Sequence, residues 1–316
     1  MKNDLLKIHP QLRHIAWFKP RLNLNRSRVA LINKVLPWLV KPQKCRDLII
    51  ENVFIDHPDS DQKLHLRLYR PRSINNLVPV LLWFHGGGYV IGMPEMDDKK
   101  CIEFAHRLGM VVISVDYRFT PQYPFPAALD DGLAALNWVI AESEKLGIDP
   151  ERIAIGGGSA GGGLAAALAQ KLKDQKKIKI AFQLLVYPML DDRTVVRSHL
   201  KDRQFLIWPQ TSNRFGWESY LGKACGEDHM PNYAVPARRE DLSGLPPAWI
   251  GVGSMDLFHD EDAAYAQRLS ATGVKCELVV IPGAFHGFDA FNSQIPVVRE
   301  FRESQIAAFK KNLLTE

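Results

Sequence analysis

The chain has 316 residues, 46% hydrophobic and 24% charged, with a formal net charge of +5. Those values suit one large globular α/β domain or two small ones, and no run approaches the ~20 apolar residues that a membrane span needs. The densest basic run, Lys171 to Lys179 (KLKDQKKIK), lacks interleaved aromatic residues, so no nucleic-acid surface is expected there. Cys45, Cys101, Cys225 and Cys276 lie far apart and form no C-x-x-C pair, which signals neither a zinc site, nor a redox motif, nor a disulfide framework. No metal and no cofactor are expected. The polar N-terminus is followed by no signal-like apolar core, so the expectation is a soluble, cytoplasmic protein.

Residues 1–45 are mixed apolar and basic, with prolines at 10, 20, 37 and 42 and apolar positions at helical spacing, as in RSRVALINKVLPWLV; short helices are expected. Residues 47–56 and 63–70 flank the polar turn HPDSD and read as an antiparallel hairpin. PVLLWF at 79–84 reads as a fully buried strand ending at His85-Gly86-Gly87-Gly88. MVVISVD at 110–116 reads as another buried strand, and a long helix follows over about 126–146. The series then continues: strand 151–155, glycine cluster, helix 160–172, strand 178–186, strand 248–253, helix 260–271, strand 276–281 and helix 295–312. Strands alternating with helices imply a parallel sheet, made mixed by the first hairpin. About sixty residues separate the strands at 178–186 and 248–253, too many for a plain connection, and FLIWPQTSNRFGWESYLG at 205–222 reads as an inserted helical piece that packs with residues 1–45 as a lid.

The glycine cluster IAIGGGSAGGG at 153–163 fits two motifs. Gly156, Gly158 and Gly161 match the phosphate-cradling G-x-G-x-x-G, while Gly157, Ser159 and Gly161 match the nucleophile elbow G-x-S-x-G. A dinucleotide site also needs an acid about twenty residues on, at the end of the next strand. That position falls in the Lys-rich run, and four strands precede the cluster where the fingerprint belongs on the first. No Lys-Ser or Lys-Thr follows Gly161 to Gly163, which excludes a Walker loop. The elbow reading stands.

A serine hydroxyl needs a base to take its proton and a carboxylate to hold that base, in this fold in the order serine, acid, histidine. Downstream of Ser159 lie His199, His229, His259 and His286. His286, in PGAFHGF five residues past the last predicted strand, sits where sites collect in open α/β sheets. His259 falls at a helix start and reads as structural. Asp256 lies at the edge of strand 248–253, whereas Asp260, Glu261 and Asp262 read as first-turn acids facing the positive end of the next helix. Acyl transfer also needs donors for a tetrahedral oxyanion. The N–H groups of Gly86 and Gly87, with that of Ala160, supply them.

HGGG at 85–88, DYRFTPQYPFPAALDD at 116–131, GGSAGGGLAAALA at 157–169, YPMLDD at 187–192, DLFHDED at 256–262 and HGF at 286–288 resemble the hormone-sensitive-lipase-like group of the α/β-hydrolase superfamily. The resemblance spans about residues 45–315. It implies an α/β-hydrolase fold: a mostly parallel eight-stranded sheet flanked by helices, with core residues 46–190 and 241–316. A helical cap would come from residues 1–45 and 191–240. It also implies a serine carboxylesterase acting on short- to medium-chain esters, with nucleophile Ser159, acid Asp256, base His286 and oxyanion donors Gly86, Gly87 and Ala160. Asp116, Tyr117 and Arg118 would be structural residues behind the site. The substrate is expected to meet Tyr89, Gly158, Trp208 and Phe215, with Trp17 and Phe18 as further pocket-closing cap residues. A homodimer through strand 276–281 is a further expectation. This chain departs from the group's pattern at Gly158, where Asp, Glu or Thr is common, at Phe119-Thr120-Pro121-Gln122, and at Leu257, where proline often stands. The rival activities are an arylformamidase or amidase on the same groups, and a non-catalytic ligand receptor. Such receptors can lack the histidine that His286 supplies.

Overall fold

A computed structural model of the chain describes residues 2–18, 21–57, 60–201 and 203–314. One eight-stranded sheet forms its centre, in the order β1-β2-β4-β3-β5-β6-β7-β8. The strands are β1 Leu48–His57, β2 Ser60–Pro71, β3 Val78–Phe84, β4 Val111–Val115, β5 Ile148–Gly158, β6 Phe182–Val186, β7 Ala248–Gly253 and β8 Cys276–Ile281. β1 and β2 form the expected hairpin and β2 pairs antiparallel with β4; every other pairing is parallel. This is the mostly parallel sheet that the family resemblance implies.

The inner strands β3, β4, β6 and β7 are apolar and buried almost end to end because both faces are covered, whereas β1 and β2 alternate with polar residues and the edge strand β8 is only half-buried. Alternation along the pleat divides them between two cores. Val80, Leu82 and Phe84 of β3 face one core with Ile153 and Ile155 of β5, whereas Leu81 and Trp83 face the other with Ala154. The first core is closed by α5 (Ala127–Ala141), α7 (Ala160–Gln175) and α9 (His259–Ala271), through Leu136, Leu164, Leu168 and Leu269. The second is closed by α4 (Asp98–Leu108) and α10 (Pro296–Phe309), through Phe104, Leu108, Phe301 and Phe309. Burying each such side chain contributes about 1.5–3 kcal/mol. A buried ion pair ties α4 to the sheet: Arg67 donates from Nε and Nη2 to the Asp98 carboxylate at 2.7 and 3.0 Å, and Tyr69 Oη donates to it at 2.6 Å.

The chain-order reading needs four corrections. It names nothing over 98–108, yet Cys101, Phe104, Ala105 and Leu108 recur at helical spacing and are the buried stripe of α4. The expected helix 126–146 breaks at Glu142 into α5 and a short α6 (Ser143–Leu146). β5 runs on through Gly156 to Gly158, so the glycines end a strand instead of forming a loop after it. β6 starts at Phe182, where pairing to Ala154 begins, and not at 178.

The N-terminal helices are α1 (Lys2–Lys7), α2 (Arg13–Trp17) and α3 (Arg26–Leu39). The long connection between β6 and β7 contains α8 (Gln210–Leu221). The two regions meet: Leu22 N donates to Ile207 O at 2.9 Å, and Leu24 N to Ser212 Oγ at 2.9 Å. Among the described residues no helix is long and apolar enough to cross a membrane.

Candidate active site

β5 is central in the sheet, and the chain reverses directly at its C-terminal end. Ser159 adopts φ 57° and ψ −121°, a conformation that costs a residue with a Cβ about 1–3 kcal/mol. Three backbone bonds fix it there. Ser159 N donates to Val186 O at 2.9 Å, while Ser159 O accepts from Gly163 N at 3.0 Å and Met189 N at 2.9 Å. The reversal brings Gly161 back over β5. A Cβ on Gly157 would lie 2.3 Å from Gly161 C, and one on Gly161 would lie 2.1 Å from Phe84 O. Both positions therefore require glycine by close approach of backbone to backbone. Gly158 differs, since a Cβ there would meet only Tyr187 Cε2 at 3.8 Å.

The other groups arrive from neighbouring strand ends. Asp256 follows β7, its N–H bonded to Gly253 O at 3.0 Å. His286 follows β8, in a loop whose Gly283 and Gly287 have φ of 71° and 67°. His286 Nδ1 lies 2.8 Å from Asp256 Oδ2, and Nε2 lies 3.0 Å from Ser159 Oγ. Phe258 N donates to the other Asp256 oxygen at 3.0 Å. An ionised Asp256 accepts from Nδ1–H, which leaves Nε2 as the acceptor of the serine proton. Ser159, Asp256 and His286 are all buried. Asp260, the alternative acid, bonds elsewhere: His259 Nδ1 at 2.9 Å and His199 Nε2 at 3.2 Å. Burial pushes its carboxyl up, but these two histidines outweigh it and hold it below the usual range.

The glycine loop after β3 reaches the same place. A Cβ on Gly86 would lie 3.2 Å from Gly158 O and 3.5 Å from Ser159 Cβ. Gly87 has φ 131°, and a Cβ on it would meet Ile91 O at 1.7 Å. Ala160 opens α7, where a first-turn N–H has no acceptor within the helix and forms part of the positive end of its dipole. Behind this loop, Tyr117 stacks on His85 at 4.5 Å and donates to His85 O at 2.8 Å. Arg118 binds the buried Asp131, and Asp116 Oδ2 lies 3.0 Å from His65 Nδ1.

The expected substrate contacts divide. Trp208 is buried beside the site: its ring lies 6.5 Å from that of His286, and its Cη2 would sit 2.1 Å from a Cβ on Gly88. Phe215 is half-buried in α8, packed on the core cluster that contains Trp208. Tyr89 is fully buried, its ring stacked on that of Tyr220 at 4.0 Å and tilted against Trp217. Trp17 and Phe18 lie differently, 71% and 83% exposed at the end of α2.

Sequence reasoning missed the aromatic surround of His286. Tyr187 and Phe258 stand at 4.8 and 5.1 Å from it, edge to face. Tyr187, in the quoted YPMLDD, has φ 37° and donates from Oη to the buried Asp289 at 2.6 Å. Lys100 Nζ lies 3.1 Å from that carboxylate, which burial pushes up but Lys100, Tyr187 and Arg302 hold below its ordinary value. The signal for Tyr187 was its place after β6, one strand over from Ser159. Among the described residues no cluster of His, Cys, Asp and Glu has the form of a metal site.

A family model described as alpha/beta hydrolase fold matches residues 81–290. The carboxylesterase NlhH of Mycobacterium tuberculosis is 36% identical over 278 residues, 86% of this chain and 85% of that protein. The ethyl acetate hydrolase of Pseudomonas putida is 34% identical, covering 79% of each. The solved structure of a bacterial heroin esterase superposes with a TM-score of 0.91 at 33% identity, over 98% of this chain and 99% of that one. The chain belongs to the α/β-hydrolase fold family, in its hormone-sensitive-lipase-like group.

Proposed function

We propose that the chain is a serine carboxylesterase that cleaves short- to medium-chain carboxylic esters through an acyl-enzyme. The observation that carries this reading is the continuous line Ser159 Oγ, His286, Asp256, with gaps of 3.0 and 2.8 Å, at a strained strand-to-helix turn. Relatives named for carboxylesterase and ethyl acetate hydrolase activity support the class of bond.

In the first half-reaction His286 Nε2 takes the Ser159 proton as Oγ attacks the ester carbonyl. The electron pair of the C=O bond moves to oxygen, where the N–H groups of Gly86, Gly87 and Ala160 receive it. Each such donor is worth about 2.7–4 kcal/mol at the transition state. Asp256 stabilises the imidazolium and fixes the tautomer. His286 then gives its proton to the departing alkoxide, and water repeats the sequence on the acyl-enzyme. No step calls for a metal or a cofactor.

Residues 1–45 and 191–240 would form a cap over a core of 46–190 and 241–316, the bonds from Leu22 and Leu24 to Ile207 and Ser212 joining its two parts. Trp208 and Phe215 would line the acyl side of the pocket under that cap, and the open space at Gly158 would receive part of the substrate. Two copies would pair along β8, the edge of the sheet, which sedimentation velocity tests directly.

The test is a panel of p-nitrophenyl esters from C2 to C12 beside p-nitroanilide amides. Turnover should be highest on the short and medium esters and at least about a hundredfold lower on amides. A chain that cleaves amides faster than esters, or neither, contradicts the proposal.

A further inference from the structure

The N-terminal segment has a property that ester hydrolysis does not use. Residues 1–45 hold ten Lys and Arg against the single acid Asp4, whereas residues 46–316 hold 30 against 34. The chain's surplus positive charge therefore resides in this one stretch. Charge asymmetry of that size points to a polyanionic partner.

The same stretch leaves its large apolar side chains in water. α3 turns Val29, Ile32 and Leu36 toward the body of the protein. The 100° step per residue then puts Leu31, Val35 and Trp38 on the opposite side, where a free helix face is normally polar. They are 63%, 36% and 84% exposed, and Leu39 beside them is 73% exposed. Arg28, Lys34, Lys41 and Lys44 are exposed in and just beyond this helix. The exposed Trp17 and Phe18 at the end of α2 belong to the same segment.

We propose that this segment seats the protein on an anionic phospholipid bilayer. Exposed Trp and Leu among Lys and Arg is the composition of an interfacial helix: the indole enters the headgroup region and the cations meet the lipid phosphates. A second copy of the chain is a poor occupant, because pairing through this patch sets ten cations against ten. The contact is peripheral, since no described helix can span the bilayer. Asn33 Nδ2 of α3 donates to Val90 O, two residues past the HGGG loop, at 2.8 Å. Docking would therefore bring the loops around Ser159 close to lipid-dissolved esters. The binding itself rests on charge and exposure and is independent of the chemistry at Ser159.

Flotation of the full chain with phosphatidylcholine vesicles, with and without about one third phosphatidylglycerol, tests this. Melting temperature serves as the fold control for each variant, so the result does not depend on activity. Binding should require phosphatidylglycerol and weaken in ~0.5 M salt. The double variant Leu31→Ser/Trp38→Ser should bind at least about tenfold more weakly, and Lys34→Gln or Lys41→Gln roughly fivefold more weakly each. No binding to either vesicle overturns the proposal, as does equal binding to both. So does a Leu31→Ser/Trp38→Ser protein that binds like the parent, or a concentration-dependent dimer that this variant breaks up.

Discussion

Trp83 and Trp249 are fully buried beneath the helices of the second core, while Trp17 and Trp38 are 71% and 84% exposed on the N-terminal helices. The sheet and the N-terminal segment thus treat the same residue type in opposite ways. At the sheet, packing from both faces buries β7 and the C-terminal half of β5, and the ends of β5, β7 and β8 hold Ser159, Asp256 and His286 to within a hydrogen bond of one another. The N-terminal helices bury far less. They attach through a few bonds, such as Leu22 N to Ile207 O and His9 N to Gly283 O, both 2.9 Å. Rigid packing suits groups that must share a proton; exposed apolar surface suits a segment that meets something outside the molecule.

Changes at the sheet ends should therefore be costly, and changes on the N-terminal face should leave the fold alone. The largest expected effect is from Ser159→Ala, which should lower kcat on p-nitrophenyl acetate by about 10⁴-fold or more with an unchanged melting temperature. Gly157→Ala comes next. With backbone atoms 2.3 to 2.6 Å from the new Cβ, it should destabilise the protein by about 3 kcal/mol or more in a urea titration. Tyr187→Phe removes one of the groups holding Asp289 and loosens the edge contact on His286. It should cost about 1–2 kcal/mol in stability and lower kcat roughly threefold to thirtyfold with little change in KM.

A fourth change sharpens the comparison through pH. Asp262 in α9 is fully buried, and neither of its carboxylate oxygens has a hydrogen-bond partner. Burial pushes its carboxyl well above the ordinary value of 3.8, and the nearby Glu261 and Asp256 charges add to that. A raised carboxyl contributes stability below its unfolded value and loses it as pH rises toward the folded one. Asp262→Ala should therefore gain on the parent as pH rises from 4 to 9, by up to about 1–3 kcal/mol in thermal melts. A parent and variant that melt in parallel across that range would show that Asp262 is ionised in the fold. The smallest effect is expected from Gly158→Ala, whose Cβ finds ordinary contact at 3.8 Å. Stability should shift by less than about 1 kcal/mol, while KM for bulky esters rises as the space beside Ser159 fills.

The site was more legible in the sequence than its surroundings, for a physical reason. An elbow constrains its own neighbours: Gly157 and Gly161 are demanded by backbone contacts and leave a spacing that can be read. Asp256 and His286 follow from strand order, because parallel strands deliver their C-terminal ends to one side of the sheet. The packing of Tyr89 was not legible, because its neighbourhood in sequence is the HGGG loop, whereas its ring meets Tyr220 and Trp217 from the distant α8. The exposure of Trp17 and Phe18 was not legible either, because a short sequence window carries no measure of exposure. The surround of Tyr187, Phe258 and Trp208 on His286 draws on three segments far apart in the chain, and no local pattern joins them.

The most direct measurement is intact-protein and peptide mass spectrometry after treatment with diethyl p-nitrophenyl phosphate. The expected result is one diethylphosphoryl group per chain, on Ser159, lost in Ser159→Ala and slowed by about a thousandfold or more in His286→Ala. Labelling at another residue, or labelling of the His286→Ala protein at the parent's rate, would contradict the proposed relay.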